Sequence, residues 1–316
     1  MKKIRSLALA SLLLPAAAPL AATFTEDFAH DPLQNGWQTF GNTNLFQWDA
    51  AAQNLVVTWD STNQNSYFYH PLGVTLTRAD AFSVAFDLQL RDAAAFGYGF
   101  ELAAGLFGLA DATNANFSRG GGASPNVCEF DYFPDTGFGD SEAATLFDAV
   151  GDYAHCYFAY DNLTLEPGVT YHIIIRHAAG AAEITGQMFT NGVLFTAMPY
   201  NYATTITDFH LDTLAVSSYF DGGWGDSILA HGVVDNFVVT LPSQPVQNFS
   251  GAWQNGQWQT SFLSQTGWHY TLERSLNLTD WAAAASAVSG DGTEKTITDS
   301  APPANQCFYR LRADPQ

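Results

Sequence analysis

The stretch Cys128-Glu-Phe-Asp-Tyr-Phe-Pro-Asp-Thr-Gly-Phe-Gly-Asp140 alternates acid with aromatic. Glu129, Asp131, Phe133 and Asp135 share one parity, so in a strand they project from one face. Carboxylates crowded on one face repel unless a positive charge sits among them. A hard cation held by oxygen is the simplest such charge. The Pro-Asp-Thr-Gly turn then brings Asp140 back toward the same place. The expectation is a metal-binding loop at a strand end.

Working outward, the chain reads as all-β. Phe82-Ser-Val-Ala-Phe-Asp-Leu-Gln-Leu90, Tyr171-His-Ile-Ile-Ile-Arg-His177 and Val233-Val-Asp-Asn-Phe-Val-Val239 alternate with period two. Leu55-Val-Val-Thr-Trp59 and Tyr67-Phe-Tyr-His-Pro-Leu72 are rich in β-branched and aromatic residues. Asn191-Gly192, Pro167-Gly168 and Asn255-Gly256 mark turns. A short helix is expected at Ala282 to Ala287. Many short strands with glycine-rich turns define a sandwich or barrel.

Lys2, Lys3 and Arg5 precede the apolar run Leu7 to Leu14 and a small-residue stretch ending near Ala22. Residues 1–22 thus read as a secretory signal, and the mature protein is expected outside the cytoplasm, secreted or at the cell surface. The apolar run is too short for a membrane span. Removing the signal takes away those three cations and no acid, which moves the formal charge from −20 to −23. Such a surface excludes nucleic acid and anionic membranes and suits cations and neutral ligands. Two prolines stiffen Leu241-Pro-Ser-Gln-Pro-Val246, a linker over residues 242–247. Before it, residues 23–241 have the size of one large jelly roll. After it, residues 248–316 suffice for a small sandwich.

The segment from Glu129 to Asp140 resembles the metal loop of the legume lectins, whose pattern is Glu-x-Asp-x-aromatic-x-Asn-x-x-x-x-Asp followed by His. Glu129, Asp131, Phe133 and Asp140 match it, and Asp135 stands at the Asn position. The resemblance implies calcium held by Asp131, Asp135, Asp140 and the Phe133 carbonyl. It also implies a transition metal such as manganese on Glu129, Asp131, Asp140 and a histidine. The family's histidine position is Thr145 here, and His155 is the next candidate. A hairpin placing His155 opposite Glu129 would also set Cys128 opposite Cys156, within reach of a disulfide. Strands around residues 82–103, 166–195 and 227–237 resemble the rest of a concanavalin A-like or laminin-G-type jelly roll. Tyr270 to Arg312 resembles a fibronectin- or immunoglobulin-like module found at the C-termini of secreted proteins of verrucomicrobia-like bacteria.

By this resemblance the protein is a non-catalytic carbohydrate-binding or adhesion protein, with glycan or polysaccharide as partner. The lectins grip sugar with an Ala-Asp pair before Gly, and here Ala95-Phe96-Gly97 stands instead. Aromatic stacking through Trp224, Tyr219, Phe96 and Tyr98 is the alternative. Two rivals stay open. One is a structural surface module without ligand. The other is a laminarinase-type glycoside hydrolase, whose Glu-x-Asp-x-x-Glu motif would align Glu129 and Asp131. The third acid of that motif falls on Pro134.

Overall fold

The computed structural model describes residues 22–315, except 98–99, 120–123, 135–139, 158–163, 196–199, 204, 224, 226, 243–245, 267 and 304–306. The expected signal, residues 1–21, lies outside the described residues. The chain divides into two compact units, Thr23–Pro242 and Ser243–Gln316.

The larger unit is a sandwich of two eight-stranded sheets. Sheet one runs in the order Val193–Leu194, Thr185–Thr190, Thr170–His177, Phe82–Phe96, Ser227–Leu241, Asn54–Asp60, Phe46–Asp49, and Ala22–Glu26 also pairs with Ser227–Leu241. Sheet two runs in the order Tyr200–Ala203, Tyr153–Tyr157, Ser141–Phe147, Val127–Phe133, Leu102–Phe107, Leu211–Ser218, Ser66–Leu76, Gln38–Phe40. Adjacent strands along these two orders are antiparallel.

Period-two alternation decides which side chains meet. In Phe82–Phe96, the side chains of Phe82, Val84, Phe86, Leu88 and Leu90 are buried. Phe86 meets Phe130 of sheet two edge-on, with ring centroids 6.2 Å apart. This contact fixes Cys128, Phe130 and Tyr132 on the inner face of Val127–Phe133. Glu129 and Asp131 must then project from the outer face of sheet two. Apolar burial of this kind stabilises by about 1.5–3 kcal/mol per large side chain.

The register shifts between His231 and Gly232, so Leu90 pairs with Gly232 while Asp92 pairs with His231. Arg91 is the extra residue of a β-bulge. The bulge resets the alternation: Leu90 points inward, and Asp92, Ala94 and Phe96 turn outward to solvent.

The smaller unit has a three-stranded and a four-stranded sheet. Phe262, Tyr270, Leu272 and Ile297 form its core. Arg274 Nη1 donates to buried Asp299 Oδ2 at 2.8 Å, and Tyr309 donates to the same oxygen at 2.9 Å. The helix expected at Ala282 to Ala287 does not form. Instead Ala282–Ala283 pairs with Glu273 and Arg274. Six residues cannot repay helix nucleation, whatever the propensity of alanine.

Candidate functional site

Two places on the larger unit gather polar chemistry. The first is the outer face of sheet two. Leu102–Phe107 and Val127–Phe133 pair so that Ala103 lies beside Asp131 and Gly105 beside Glu129. A Cβ on Gly105 would lie 2.4 Å from the Glu129 Cα, so only glycine lets the strands pass here. The hairpin excursion between them opens and closes on one hydrogen bond, Gly108 N to Asn126 O at 2.8 Å. It folds back over the sheet. Tyr67 donates to Ala112 O at 3.0 Å, and the Phe117 ring meets Tyr219 at 6.0 Å.

This excursion delivers Arg119 to the carboxylates. Arg119 Nε donates to Glu129 Oε1 at 2.8 Å and lies 3.6 Å from Glu101 Oε1. Its Nη2 lies 3.1 Å from Asp131 Oδ1. The guanidinium also sits over the Phe147 and Tyr219 rings, 5.1 and 5.5 Å from their centroids. Tyr219 donates to Glu129 Oε2 at 2.7 Å. The side chains of Arg119, Glu101, Glu129 and Asp131 are 6, 4, 1 and 1% exposed, so water is shut out.

Burial pushes the Glu129 carboxyl up to about 8; Arg119 pulls against that shift and Asp131 adds to it. Burial likewise lifts Glu101 to about 7, again opposed by Arg119. Burial disfavours the Arg119 charge, but Glu101, Asp131 and Glu129 hold its pKa well above the ordinary value. His155 is held below the usual imidazole value, first by burial.

The residues expected to hold metal are therefore divided. Glu129 and Asp131 come together with Glu101, but around a guanidinium. Asp140 Oδ2 accepts from Tyr132 at 3.0 Å, and Tyr132 belongs to the opposite face of the strand. Phe133 ends the strand, and Asp135 lies outside the described residues. Thr145 pairs with Glu129, and His155 pairs with Thr145, its Nδ1 3.0 Å from Thr145 Oγ1. His155 is thus one strand further from Glu129 than expected. Cys128 pairs with Leu146 and Cys156 with Ala144, and both thiols are free. The expected disulfide fails because Ser141–Phe147 separates the two strands. Among the described residues no group of three or more His, Cys, Asp or Glu could hold a metal ion. A divalent ion and a guanidinium cannot share one centre, so Glu101, Glu129 and Asp131 as placed around Arg119 do not fit a metal, while the expected calcium set lies partly outside the described residues.

Of the aromatics expected to meet ligand, Tyr219 is fully buried and presents no ring face to solvent. Phe96 is 57% exposed on the outer face of sheet one. Tyr98 and Trp224 lie outside the described residues.

The second place is a 260 Å³ pocket on that same outer face, lined by Asn54, Asp87, Gln89, Thr170, Asp235 and Asn236 together with Val233. A second register shift between Asp235 and Val238 shapes it, with Asn236 at φ 53°. Asp87 is held from both sides, by His172 Nδ1 at 2.7 Å and Asn236 Nδ2 at 2.8 Å. Gln89 Nε2 donates to Gly168 O at 3.0 Å and Thr170 Oγ1 at 3.2 Å. Asn54 Oδ1 is buried without a hydrogen-bond partner. Burial pushes Asp235 up to about 6, with the charges of Asp87, Asp27 and Glu26 adding to it against the Asn236 N–H. Sequence reading passed over this pocket because Asp87 and Gln89 look like ordinary solvent-facing positions of an alternating strand. The two adjacent polar residues Asp235-Asn236, which interrupt an alternating run, were the available signal.

No family model and no curated protein matches the chain. Among solved structures, the chain is similar to peanut lectin in complex with a nine-residue peptide (10% identity, TM-score 0.41, 71% of this chain and 99% of that one). It is similar to lectin II from Ulex europaeus at 10% identity and TM-score 0.44, over 70% of this chain and 98% of the lectin. It is also similar to a carbohydrate esterase of the Shiga toxin-encoding bacteriophage phi24B (12% identity, TM-score 0.39, 71% and 100% covered).

Proposed function

We propose that the mature chain is an extracytoplasmic, non-catalytic protein that binds a neutral polysaccharide along the outer face of sheet one. The observation that carries this reading is the mixed floor of the bulge pocket. Asp87, Asp235 and the Gln89 carbonyl offer acceptors, the second Asn236 amide hydrogen offers a donor, and Thr170 adds a hydroxyl. Sugar hydroxyls both donate and accept, so a floor of paired carboxylate and amide suits them. No cation lines the pocket among the described residues, and its two carboxylates turn anions away. From Gln89 to Phe96 is about 20 Å of strand on the same face. An exposed ring at that distance supports an extended chain of pyranose units over a single sugar.

The sealed carboxylates of sheet two support the non-catalytic half of the reading. A retaining hydrolase needs two carboxyl groups about 5 Å apart with a sugar between them and water nearby. Here Arg119, Phe147 and Tyr219 fill that face. The basic and apolar residues at the N-terminus support export.

The test is binding of the mature protein to an array of neutral polysaccharides, repeated with Asn236→Gly and Gln89→Ala. Glycine keeps the left-handed turn at residue 236 while removing the amide. Binding that both substitutions leave untouched would sink the pocket assignment, and no binding to any glycan would leave a structural surface module.

A further inference from the structure

The outer face of sheet two carries an inference that stands apart from glycan binding. We infer that Arg119 is the resident cation of this sandwich. Its guanidinium takes the place in which a divalent ion would neutralise Glu129 and Asp131, and it pins the hairpin excursion to the sheet without metal.

Three observations converge. The guanidinium lies at bonding distance from Glu129 and within 3.1 Å of Asp131, with Glu101 at 3.6 Å. It sits over the Phe147 and Tyr219 rings, a setting for a planar cation and not for a hydrated ion. Of the other residues of the expected metal set, Asp140 accepts from Tyr132 and His155 lies against Thr145, while Phe133 ends the strand and Asp135 lies outside the described residues. A positive charge borne by the chain itself is always present, so closure of the excursion does not depend on free calcium.

One arginine does not saturate three carboxyl groups. Asp131 Oδ2 is buried without a partner, and Asp131 Oδ1 and Glu101 Oε1 face Arg119 as ion pairs at 3.1 and 3.6 Å with no hydrogen bond of their own. That residual acceptor capacity makes the site a latent metal centre. Truncating Arg119 would leave a space lined by Glu101, Glu129 and Asp131, the oxygen-rich surroundings that a hard cation takes.

The experiment is thermal unfolding of the mature protein with chelator, with calcium and with manganese, for wild type, Arg119→Ala and Arg119→Ala/Asp131→Asn. The wild-type midpoint is expected to be the same in all three conditions. Arg119→Ala is expected to unfold at a lower temperature and to regain several degrees with either ion, because a ligand of the folded state alone raises its midpoint. The double variant is expected to regain nothing. Should Arg119→Ala be obtained unfolded, refolding that succeeds only with added ion counts as the same recovery. A cation-dependent shift in the wild type that Asp131→Asn abolishes would overturn the inference. So would an Arg119→Ala protein that no ion stabilises, folded or on refolding.

Discussion

Glu142→Gln is expected to stabilise the protein at alkaline pH and leave it unchanged in acid. Glu142 pairs with Tyr132 and shares its inward face. Its side chain is fully buried, and neither carboxylate oxygen has a hydrogen-bond partner. Burial first, and the neighbouring Asp140 charge second, push its pKa from 4.5 up to about 9, against the pull of its own backbone N–H. In the unfolded chain the group ionises near its ordinary value. Between those two values the folded state holds a proton that the unfolded state has released. Stability therefore falls as pH rises from about 4.5 to about 9. At about 1.4 kcal/mol per unit, the 3.5 units from 4.5 to pH 8 set a ceiling of about 5 kcal/mol. Relaxation around the ionised group lowers this, so a gain of about 2–5 kcal/mol is expected. Glutamine keeps the shape and the polar atoms but does not titrate. For a unit of this size the gain corresponds to about 4–20 °C in midpoint. The assay is thermal unfolding of both proteins at pH 4, 6 and 8. The reasoning fails if Glu142→Gln is no more stable at pH 8, or if it gains as much at pH 4.

Gly105→Ala should destabilise the larger unit by about 3 kcal/mol or more, because the new methyl meets main-chain atoms that cannot move aside; urea unfolding measures it. Thiol titration of the native protein should find Cys307 reactive and Cys128 and Cys156 silent until denaturation, with no mass change on reduction. Gln89→Ala should weaken glycan affinity about tenfold, equivalent to about 1.4 kcal/mol, read by isothermal titration. Replacing Asp299 with Asn should lower the stability of the smaller unit at neutral pH and much less in acid. Hydrogen bonds from Ala301 N, Arg274 and Tyr309 outweigh burial and hold the Asp299 carboxyl below its ordinary pKa, so its stabilisation is present above that value and is lost as pH falls.

Much of the sandwich was legible because strand burial writes itself as alternation. Phe82 to Leu90 reads as one strand, and it is one. Its continuation to Phe96 was hidden, because the bulge at Arg91 shifts the pattern by one residue and mimics an ending. The turns at Asn191-Gly192 and Asn255-Gly256 were legible since both residues of each adopt positive φ, which few other pairs accept. The shared face of Glu129 and Asp131 followed from parity alone. The charge among them did not, because Arg119 reaches them by tertiary folding and Glu101 comes from just before the neighbouring strand Leu102–Phe107. A lone arginine before Gly120-Gly-Gly122, in a chain with 11 cations against 31 acids, was the hint available. The strand register failed for a related reason: the spacing of cysteines and histidine fits a two-strand hairpin and cannot announce a third strand between.

The pairing of Ala22–Glu26 with Ser227–Leu241 sets the first strand of the larger unit beside its last. The chain thus enters and leaves the sandwich on neighbouring strands. A unit with that property can be spliced into a surface loop of another protein, or circularly permuted by joining its ends and cutting at the Asn191-Gly192 hairpin, without rerouting a strand. The architecture lends itself to being carried as a cassette.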